Sequence, residues 1–402
     1  MRRVTGIRLL ALAVLLLLVA ASAACVPTRA ADVRRVRRGF IVRIGIAAPL
    51  EKGRIVSGHG VARAVQLAVS QANESGSLAQ AGVRLETVLG DDQDDRRKGL
   101  AVANRFVSDP ELVAVVGHLD SAVSMQAAAV YNGNDVVAIS PASSDPLLTA
   151  QGFRNVFRVC ATDSAQGWGA ANVAFRAMGR RRAYVVDDSS TYGVELADQF
   201  AKQFEKDGGT FLGRDKTEQS DTDFRRVVAN VKAQRPDIVY YGGSYFTASL
   251  LSRQLFDAGI TVPVMGGDRI GVPQYAELAG PPAAEQDAHT SVTVPLNELP
   301  GATPLAAAYH AAYPDERVQP YDAYAYDAAN VIIEGIRRVA EELGPERITS
   351  DEGKKRLIAD VLSTNLRGVT GKLGFDQYGD TENQRIATYI VKDGVWRLYG
   401  DR

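Results

Sequence analysis

The chain has 402 residues, of which 46% are hydrophobic and 23% are charged. This composition is typical of a folded soluble protein, and the length is sufficient for two or three domains of about 150 residues each. The formal net charge of −1 gives no electrostatic reason to expect a nucleic-acid partner. The two cysteines, Cys25 and Cys160, exclude a fold built on several disulfides.

The first 24 residues have the three parts of a secretory signal peptide. Arginines begin the segment, an apolar run covers residues 9–20, and small residues occupy positions 21–24. The apolar run is shorter than the roughly 20 residues that a transmembrane helix needs. We therefore predict that residues 1–24 are removed and that the protein is extracytoplasmic.

Cys25 directly follows these small residues, which resembles the lipidation site of bacterial lipoproteins. In that pattern the cysteine carries the lipid and becomes the first residue of the mature chain. We predict a lipid anchor on Cys25, with residues 25–39 as a tether to the cell membrane. Ser22 stands where the pattern usually has leucine, so ordinary cleavage after Ala23 or Ala24 is the alternative.

The next part of the chain alternates between apolar strands and helices with apolar residues at helical spacing. Strands are predicted at residues 40–47, 83–89, 112–116 and 136–139, and helices at 61–74, 96–108 and 121–132. Repeated β-α pairs predict a parallel sheet with helices on both faces.

Two of these strands end in loops that are rich in hydroxyl groups, 117–121 (GHLDS) and 140–144 (SPASS). Open α/β sheets bind ligands at the carboxyl ends of their strands, and helix N-termini favour anions. We predict that Ser121 and Ser144 face each other across a cleft and hold the acidic end of a small ligand. Serine is also a favoured N-cap residue, so helix capping is the alternative.

The alternation breaks near Arg158 and then restarts, which predicts a second lobe of the same construction. Its strands are predicted at 182–186, 237–241 and 262–265, and its helices at 172–178, 194–207, 224–234 and 247–258. A strand at 291–295 is predicted to return the chain to the first lobe. Helices at 303–313, 321–343 and 354–364 and a strand at 385–392 follow.

The sequence contains no phosphate-binding loop, no G-x-S-x-G nucleophile motif and no H-E-x-x-H zinc motif. We therefore predict no catalytic residue, no metal ligand and no cofactor. His59 and His118 are predicted to lie at the surface or to line a cleft. Cys160 is predicted to be a buried apolar residue, and Tyr240 and Tyr241 to lie in or near the core.

Six short stretches carry a family resemblance: residues 42–49, 117–119, 139–141, 191–193, 239–243 and 371–380. Over residues 40–400 the chain resembles the type I periplasmic solute-binding proteins of the leucine/isoleucine/valine-binding group. The resemblance implies an α/β fold of two doubly wound, Rossmann-like lobes joined by a three-crossing hinge. Lobe 1 would comprise residues 40–159 and 294–369, and lobe 2 residues 160–293 and 370–402.

The resemblance also implies a set of ligand-binding positions. In the first lobe Ser121, Ala142 and Ser144 would hold an α-carboxylate, and Ser143 beside them is a further predicted ligand-binding position. In the second lobe Tyr192, Tyr245 and Asp268 would close over the α-amino group, with Asp268 in place of the usual glutamate.

Two departures from the family pattern bear on specificity and stability. The tryptophan beside the family's side-chain pocket falls near Ser57 or His59, which implies a smaller and more polar wall lined by Ser57. The two cysteines of the family's first-lobe disulfide align with Asp94 and Asp120, which we expect to be exposed in mobile loops.

These expectations together predict a receptor that delivers an amino acid, possibly a branched-chain one, or a similar small zwitterion to an ABC importer. The predicted partners are that small molecule, the permease subunits of the transporter and the membrane. One alternative is a sensor protein on the same fold that binds an amide, urea or a related polar solute. A secreted hydrolase with an α/β fold is a further alternative.

Overall fold

The computed structural model describes residues 39–51 and 58–400. The predicted signal peptide, Cys25, nearly all of the tether and Ser57 lie outside the described residues.

A parallel sheet organises the first part of the described chain. Its strand order is β2-β1-β3-β4-β5, and each neighbouring pair is parallel. The strands are β1 (Phe40–Ala48), β2 (Val83–Asp91), β3 (Leu112–Gly117), β4 (Val137–Ser140) and β5 (Val156–Arg158). The order reverses between β1 and β3, which makes the loops after these strands the expected place for a ligand.

Helices cover both faces of this sheet, as predicted. They are α1 (Gly58–Glu74), α2 (Ser77–Gln80), α3 (Arg96–Val107), α4 (Ser121–Asn132) and α5 (Leu147–Ala150). The alternating side chains of β1 explain this arrangement, since Val42, Ile44 and Ile46 pack on one face and Ala47 on the other.

A second sheet follows with the order β14-β13-β10-β9-β8-β6-β7. Its strands are β6 (Arg182–Asp187), β7 (Thr210–Lys216), β8 (Ile238–Gly242), β9 (Val264–Gly266), β10 (Ala288–Ser291), β13 (Ala387–Lys392) and β14 (Val395–Leu398). Five neighbouring strands, from β10 to β7, are parallel, and β13 and β14 add an antiparallel edge. The order reverses between β6 and β8, so the second sheet repeats the construction of the first.

The helices between these strands cover the two faces of the second sheet. They are α6 (Asp163–Asn172), α7 (Thr191–Lys206), α8 (Arg225–Gln234), α9 (Tyr245–Asp257), α10 (Pro273–Ala279) and α11 (Pro281–Ala284). Tyr240 packs with α6 and α7 on one face, and Tyr241 packs with α8 and α9 on the other. Both tyrosines are fully buried, which confirms their predicted place in the core.

The predicted strand at 291–295 is wrong, and the two edge strands of the second sheet, β7 and β14, were not predicted. The strand predicted at 291–295 is displaced, because the strand β10 ends at Ser291 and pairs within the second sheet. Val292 and Val294 are buried without belonging to a strand, and this apolar spacing misled the prediction. The edge strand β7 was not predicted, because its side chains are mostly half-buried and carry no clear alternation.

The C-terminal helices return to the first sheet. They are α12 (Ala302–Ala312), α13 (Pro320–Leu343) and α14 (Asp351–Leu362), followed by the short antiparallel pair β11 (Leu366–Gly368) and β12 (Gly371–Leu373). Helix α13 packs along α1 and shares one buried cluster with β1. These contacts agree with the predicted division of the chain, and the lobe boundaries themselves stay a prediction.

Arg158, at the end of β5, is fully buried and joins four segments of the fold. Its guanidinium donates to the carbonyl oxygens of Ser143 (2.9 Å) and Asp145 (2.7 Å) and to the hydroxyl of Thr149 (2.8 Å). Its Nε donates to Asp380 at 2.6 Å. A buried charge with this many partners holds the loop after β4 against the C-terminal segment.

We predict that Arg158→Met lowers the free energy of unfolding by about 3–5 kcal/mol, because Asp380 and two carbonyl oxygens lose their buried partner. Urea unfolding measures this change. Arg225→Met is the matched control, because the Arg225–Asp223 ion pair is exposed and should leave the urea midpoint unchanged. Equal midpoints for both variants would contradict the bracing role of Arg158.

Candidate functional site

The loop after β3 leads into α4, and Asp120 is the residue that caps this helix. Its carboxylate accepts from the backbone N–H groups of Ala122 (2.9 Å) and Val123 (3.1 Å). Ser121 is therefore the first helical residue and not the cap. Its hydroxyl accepts from the N–H of Asp145 at 3.4 Å, which links the loop after β3 to the loop after β4.

The loop after β4 is held by its own serines. The hydroxyl of Ser140 accepts from the backbone N–H groups of Ala142 (3.3 Å) and Ser143 (2.9 Å). The fully buried hydroxyl of Ser143 is within hydrogen-bond distance of the carbonyl oxygens of His118 and Leu119, both at 3.2 Å. The hydroxyl of Ser143 is thus already engaged within the loops, and its role in ligand binding stays a prediction.

Ser144 and Ala142 lie beside Ser143 in the same loop and are both nearly buried. The carbonyl oxygen of Ser144 accepts from the N–H of Asp163 at 2.9 Å, and its side chain hydrogen-bonds the carboxyl group of Asp163. Ser144 caps no helix, because α5 begins after Pro146. The capping alternative is therefore wrong for Ser144 as it is for Ser121.

The second sheet brings Tyr192 and Asp268 together. Tyr192, in the first turn of α7, donates its hydroxyl to a carboxylate oxygen of Asp268 at 2.7 Å. Asp268 directly follows Gly267 after β9. A Cβ atom at Gly267 would lie 2.3 Å from the Tyr192 hydroxyl and 2.4 Å from Oε1 of Gln166, so this close approach needs glycine.

Gln166 was not predicted from the sequence, although it orients the Tyr192–Asp268 pair. It is fully buried on α6, and its Oε1 accepts from the N–H of Asp268 (3.3 Å) and the hydroxyl of Tyr192 (3.4 Å). Its Nε2 donates to the carbonyl oxygen of Thr290 at 3.3 Å. Gln166 thus ties β10 to the proposed ammonium partner.

Asp163, the first residue of α6, was also missed. Burial raises the pKa of Asp163 to about 7, and the nearby negative charge of Asp268 adds to this, whereas the hydrogen bond with Ser144 opposes it. Its Oδ1 is buried and has no hydrogen-bond partner among the described residues. The sequence does indicate that a helix starts at Asp163, because Thr162 is a typical helix cap. In the structure the Thr162 hydroxyl accepts from the N–H of Ala165.

Two further side chains belong to this region. The guanidinium of Arg269 lies over the ring of Tyr192, 4.0 Å from its centroid, a distance at which cation and ring attract. Tyr321, at the start of α13, is close enough to Asp268 for that charge to affect it; burial and then Asp268 raise the pKa of Tyr321. Arg269 and Tyr321 lie far from Asp163 in the sequence, and no local sequence pattern indicates that they are near it.

The remaining residues named in the sequence analysis differ in how deeply they are buried. Tyr245 is half-buried in the first turn of α9, where it packs against the second-sheet core. Ser57 lies outside the described residues, while His59 is exposed. Cys160 is fully buried as predicted, whereas the prediction for His118 is wrong because its side chain is fully buried.

The arrangement is chemically two-sided. One side offers the hydroxyls of Ser121 and Ser144, which suit a carboxylate, whereas the N-terminus of α4 is already capped by the carboxylate of Asp120. The other side offers the acids Asp163 and Asp268 with the hydroxyl of Tyr192, which suit a cation. Among the described residues no cluster of histidine, cysteine and acidic side chains has the geometry of a metal site.

The sequence model of the family described as periplasmic binding protein matches residues 41–394. The chain belongs to the periplasmic binding protein family. This family consists of solute-binding receptors that act outside the cytoplasm, which confirms the predicted class. No helix in the ranges 39–51 and 58–400 combines the length and apolar character needed to cross a membrane.

Individual relatives agree with this assignment. Leu/Ile/Val-binding protein homolog 1 of Brucella melitensis is 29% identical over 354 residues, which cover 88% of this chain and 91% of the relative. The crystal structure of the leucine-binding protein LivK from Thermotoga maritima has a TM-score of 0.70 and 26% identity, over 89% of this chain and 98% of that one. A substrate-binding protein of an ABC transporter from Desulfitobacterium hafniense, in complex with Leu, has a TM-score of 0.72 and 25% identity, over 89% and 99%. These matches confirm the predicted type I fold and the leucine/isoleucine/valine-binding group.

We predict that Asp163 makes the stability of the ligand-free protein depend on pH. A folded-state pKa of about 7, raised from 3.8, means that the folded protein holds the proton more tightly than the unfolded chain does. The stabilising contribution of Asp163 is therefore complete at acidic pH and is lost as the pH rises towards 7. Asp163→Asn removes this loss, so the free energy of unfolding of the variant should increase relative to wild type between about pH 4 and pH 7.

Urea unfolding of both proteins at several pH values measures this difference. Asp257→Asn is the control, because Asp257 is exposed on α9 and should produce a difference that does not change with pH. A constant difference for Asp163→Asn would contradict the raised pKa.

Proposed function

We propose that this periplasmic binding protein captures an α-amino acid, with branched-chain amino acids as the first candidates, and delivers it to an ABC importer. The ligand would occupy the cleft between the carboxyl edges of the two sheets, and the lobes would close over it by a hinge motion. The observation that carries the proposal is the pairing of a hydroxyl-rich edge with two acidic side chains, Asp163 and Asp268.

The first edge supports recognition of the α-carboxylate. Ser121 begins a twelve-residue helix, α4, whose N–H groups at Ala122 and Val123 are taken up by the carboxylate of Asp120. The Ser121 hydroxyl accepts from Asp145 and keeps its own proton to donate to the ligand. Ser144 lies in the next loop, and the hydrogen bond from Asp145 to Ser121 keeps the two loops together. Hydroxyl groups with a proton to donate are suitable partners for a carboxylate.

The second edge supports recognition of the α-amino group. Asp268 accepts from Tyr192, and Oδ1 of Asp163 has no partner among the described residues. A ligand ammonium between these acids would donate to both of them. It would also lower the pKa of Asp163, because an adjacent positive charge favours the ionised carboxylate.

The relatives support the choice of branched-chain amino acids, since their names or structures refer to Leu, Ile or Val. Binding without chemical conversion is proposed, because the chain belongs to a family of solute-binding receptors and the side chains around Asp163 and Asp268 form hydrogen-bond partners for a zwitterion. A sensor for an amide or urea on the same fold would need no cationic group in its ligand.

Replacement of Asp268 tests the proposal. In Asp268→Asn the ammonium loses its charged partner, so we expect binding of L-leucine, L-isoleucine and L-valine to weaken by about 2–5 kcal/mol. Ser144→Ala should weaken it by about 1–3 kcal/mol through the loss of a hydrogen bond to a charged group. Isothermal titration calorimetry measures both, after a thermal-shift screen has identified the ligand that raises the melting temperature most.

Matched controls on exposed helix faces are Asp257→Asn and Ser70→Ala, which should bind like wild type. The proposal fails if no amino acid binds the wild-type protein, or if Asp268→Asn binds an amino acid with unchanged affinity. A melting-temperature shift with urea or a short amide alone would favour the sensor.

We also propose that a lipid on Cys25 holds the receptor at the outer face of the cell membrane. The support is the sequence pattern around Cys25 and the extracytoplasmic family to which the chain belongs.

In cells that express the full chain, Cys25→Ser should move the protein from the membrane fraction to the soluble fraction, because lipidation needs the thiol. Fractionation followed by immunoblotting measures the distribution. Cys160→Ala is the control, because Cys160 is buried in the folded protein and the variant should remain with the membrane. A Cys25→Ser protein that stays membrane-bound would exclude the lipid anchor.

A further inference from the structure

We infer that Asp92 and His118 form a buried brace that sets the shape of the two carboxylate-binding loops, so that both are positioning residues for the ligand. The inference rests on the proposed function, because it assigns these loops the role of holding the α-carboxylate. Neither residue contacts the proposed ligand directly.

The brace begins with the imidazole of His118, which is held at both nitrogen atoms. Its Nδ1 lies 2.6 Å from a carboxylate oxygen of Asp92, and its Nε2 lies 3.0 Å from the hydroxyl of Tyr131. The side chains of His118 and Asp92 are 0% and 1% exposed. A bond this short and this well shielded from water is among the strong hydrogen bonds of a protein.

The three residues come from different elements of the first sheet. Asp92 follows β2, His118 follows β3, and Tyr131 lies near the end of α4. Burial, and then the charge of Asp92, raise the pKa of Tyr131, so its hydroxyl keeps its proton and can donate to Nε2. The imidazole therefore fixes the start of the loop after β3 relative to both β2 and α4.

The backbone of His118 carries this constraint to the loop after β4. Its carbonyl oxygen lies within hydrogen-bond distance of three hydroxyls, those of Ser140 (2.7 Å), Ser124 (3.1 Å) and Ser143 (3.2 Å). The hydroxyls of Ser124 and Ser143 also lie 2.6 Å apart. One of these two hydroxyls therefore donates to the other, and the remaining one can donate with Ser140 to the carbonyl oxygen. A shift of this oxygen would disturb the whole group of hydroxyls.

Ser140 completes the connection to the proposed binding positions. While its hydroxyl donates to His118, its oxygen accepts from the N–H groups of Ala142 and Ser143. These residues directly precede Ser144, which contacts Asp163. Hydrogen bonds therefore connect Asp92 through His118 and Ser140 to Ser143, which is the neighbour of Ser144 in the chain. These residues are buried.

If Asp92 and His118 position the loops, variants of these residues that still fold should bind the ligand more weakly than wild type. Asp92→Asn and His118→Gln should each weaken the binding of L-leucine by about tenfold or more, because the loops lose their preferred shape before the ligand arrives. The double variant should be little worse than either single variant, since both changes break the same interaction. Tyr131→Phe removes one hydroxyl and should cause a smaller loss in the same direction.

Calorimetry with L-leucine is one readout, and hydrogen–deuterium exchange of the segment 140–146 is the second. The exchange of this segment should become faster in the Asp92 and His118 variants without ligand. Asp287→Ala is the control, because Asp287 is a buried aspartate next to the second sheet whose carboxyl group accepts from Ser252, Tyr275 and the N–H of Val264, and alanine leaves these donors without a partner. This variant should unfold more easily while keeping wild-type affinity and wild-type exchange at 140–146.

The outcomes separate the two proposals. Folded Asp92→Asn and His118→Gln proteins with wild-type affinity and wild-type exchange at 140–146 would overturn the brace. If the wild-type protein binds no amino acid, the proposed function falls, and the exchange readout still decides whether the brace exists. If both variants fail to fold, Tyr131→Phe decides, and unchanged exchange in that variant overturns the inference.

Discussion

The repulsion between Asp163 and Asp268 is the constraint around which the proposed site is arranged. Both carboxyl groups lie at the carboxyl edge of the second sheet, where burial of Asp163 and the charge of Asp268 raise the pKa of Asp163 to about 7. Two acids in such a place need a proton, a hydrogen-bond donor or a cation. Tyr192 supplies a donor to Asp268, the guanidinium of Arg269 is a positive charge near both acids, and the ligand's ammonium would supply a further one.

The first sheet meets a different requirement, because an anion is bound best by donors that are already in place. Serine hydroxyls around the His118 carbonyl oxygen shape the loop after β4. The guanidinium of Arg158 donates hydrogen bonds to two carbonyl oxygens of the same loop. Preorganised donors lose little conformational entropy when the ligand arrives. Under the proposed function the two sheets would divide the task, with hydroxyl donors for the carboxylate on the first sheet and acidic side chains for the ammonium on the second.

Much of the fold could be predicted from the sequence, because β-α alternation and helical spacing are local patterns. The prediction failed for β7, whose residues are mostly half-buried at a sheet edge, and at β10, where buried Val292 and Val294 extend the apolar run beyond the strand.

The candidate site was harder to predict, because its contacts join distant parts of the chain. The importance of Asp163 depends on Asp268, 105 positions away, and a lone His118 gives no sign of its bond to Asp92. The family resemblance drew attention to Asp94 and Asp120 as a pair. Asp94 and Asp120 are half-buried, so the expectation that both are exposed is wrong. Asp120 caps α4, and the loops after β2 and β3 are joined by the contact between Asp92 and His118.

The central claim is that one small molecule is held at once by its carboxylate and by its ammonium group. Calorimetric titration with L-leucine, L-leucinamide and N-acetyl-L-leucine tests this claim most directly, because each derivative removes one of the two charges and keeps the side chain. The account predicts measurable binding of L-leucine and loss of binding for both derivatives. L-leucinamide or N-acetyl-L-leucine binding as tightly as L-leucine would contradict the two-sided site.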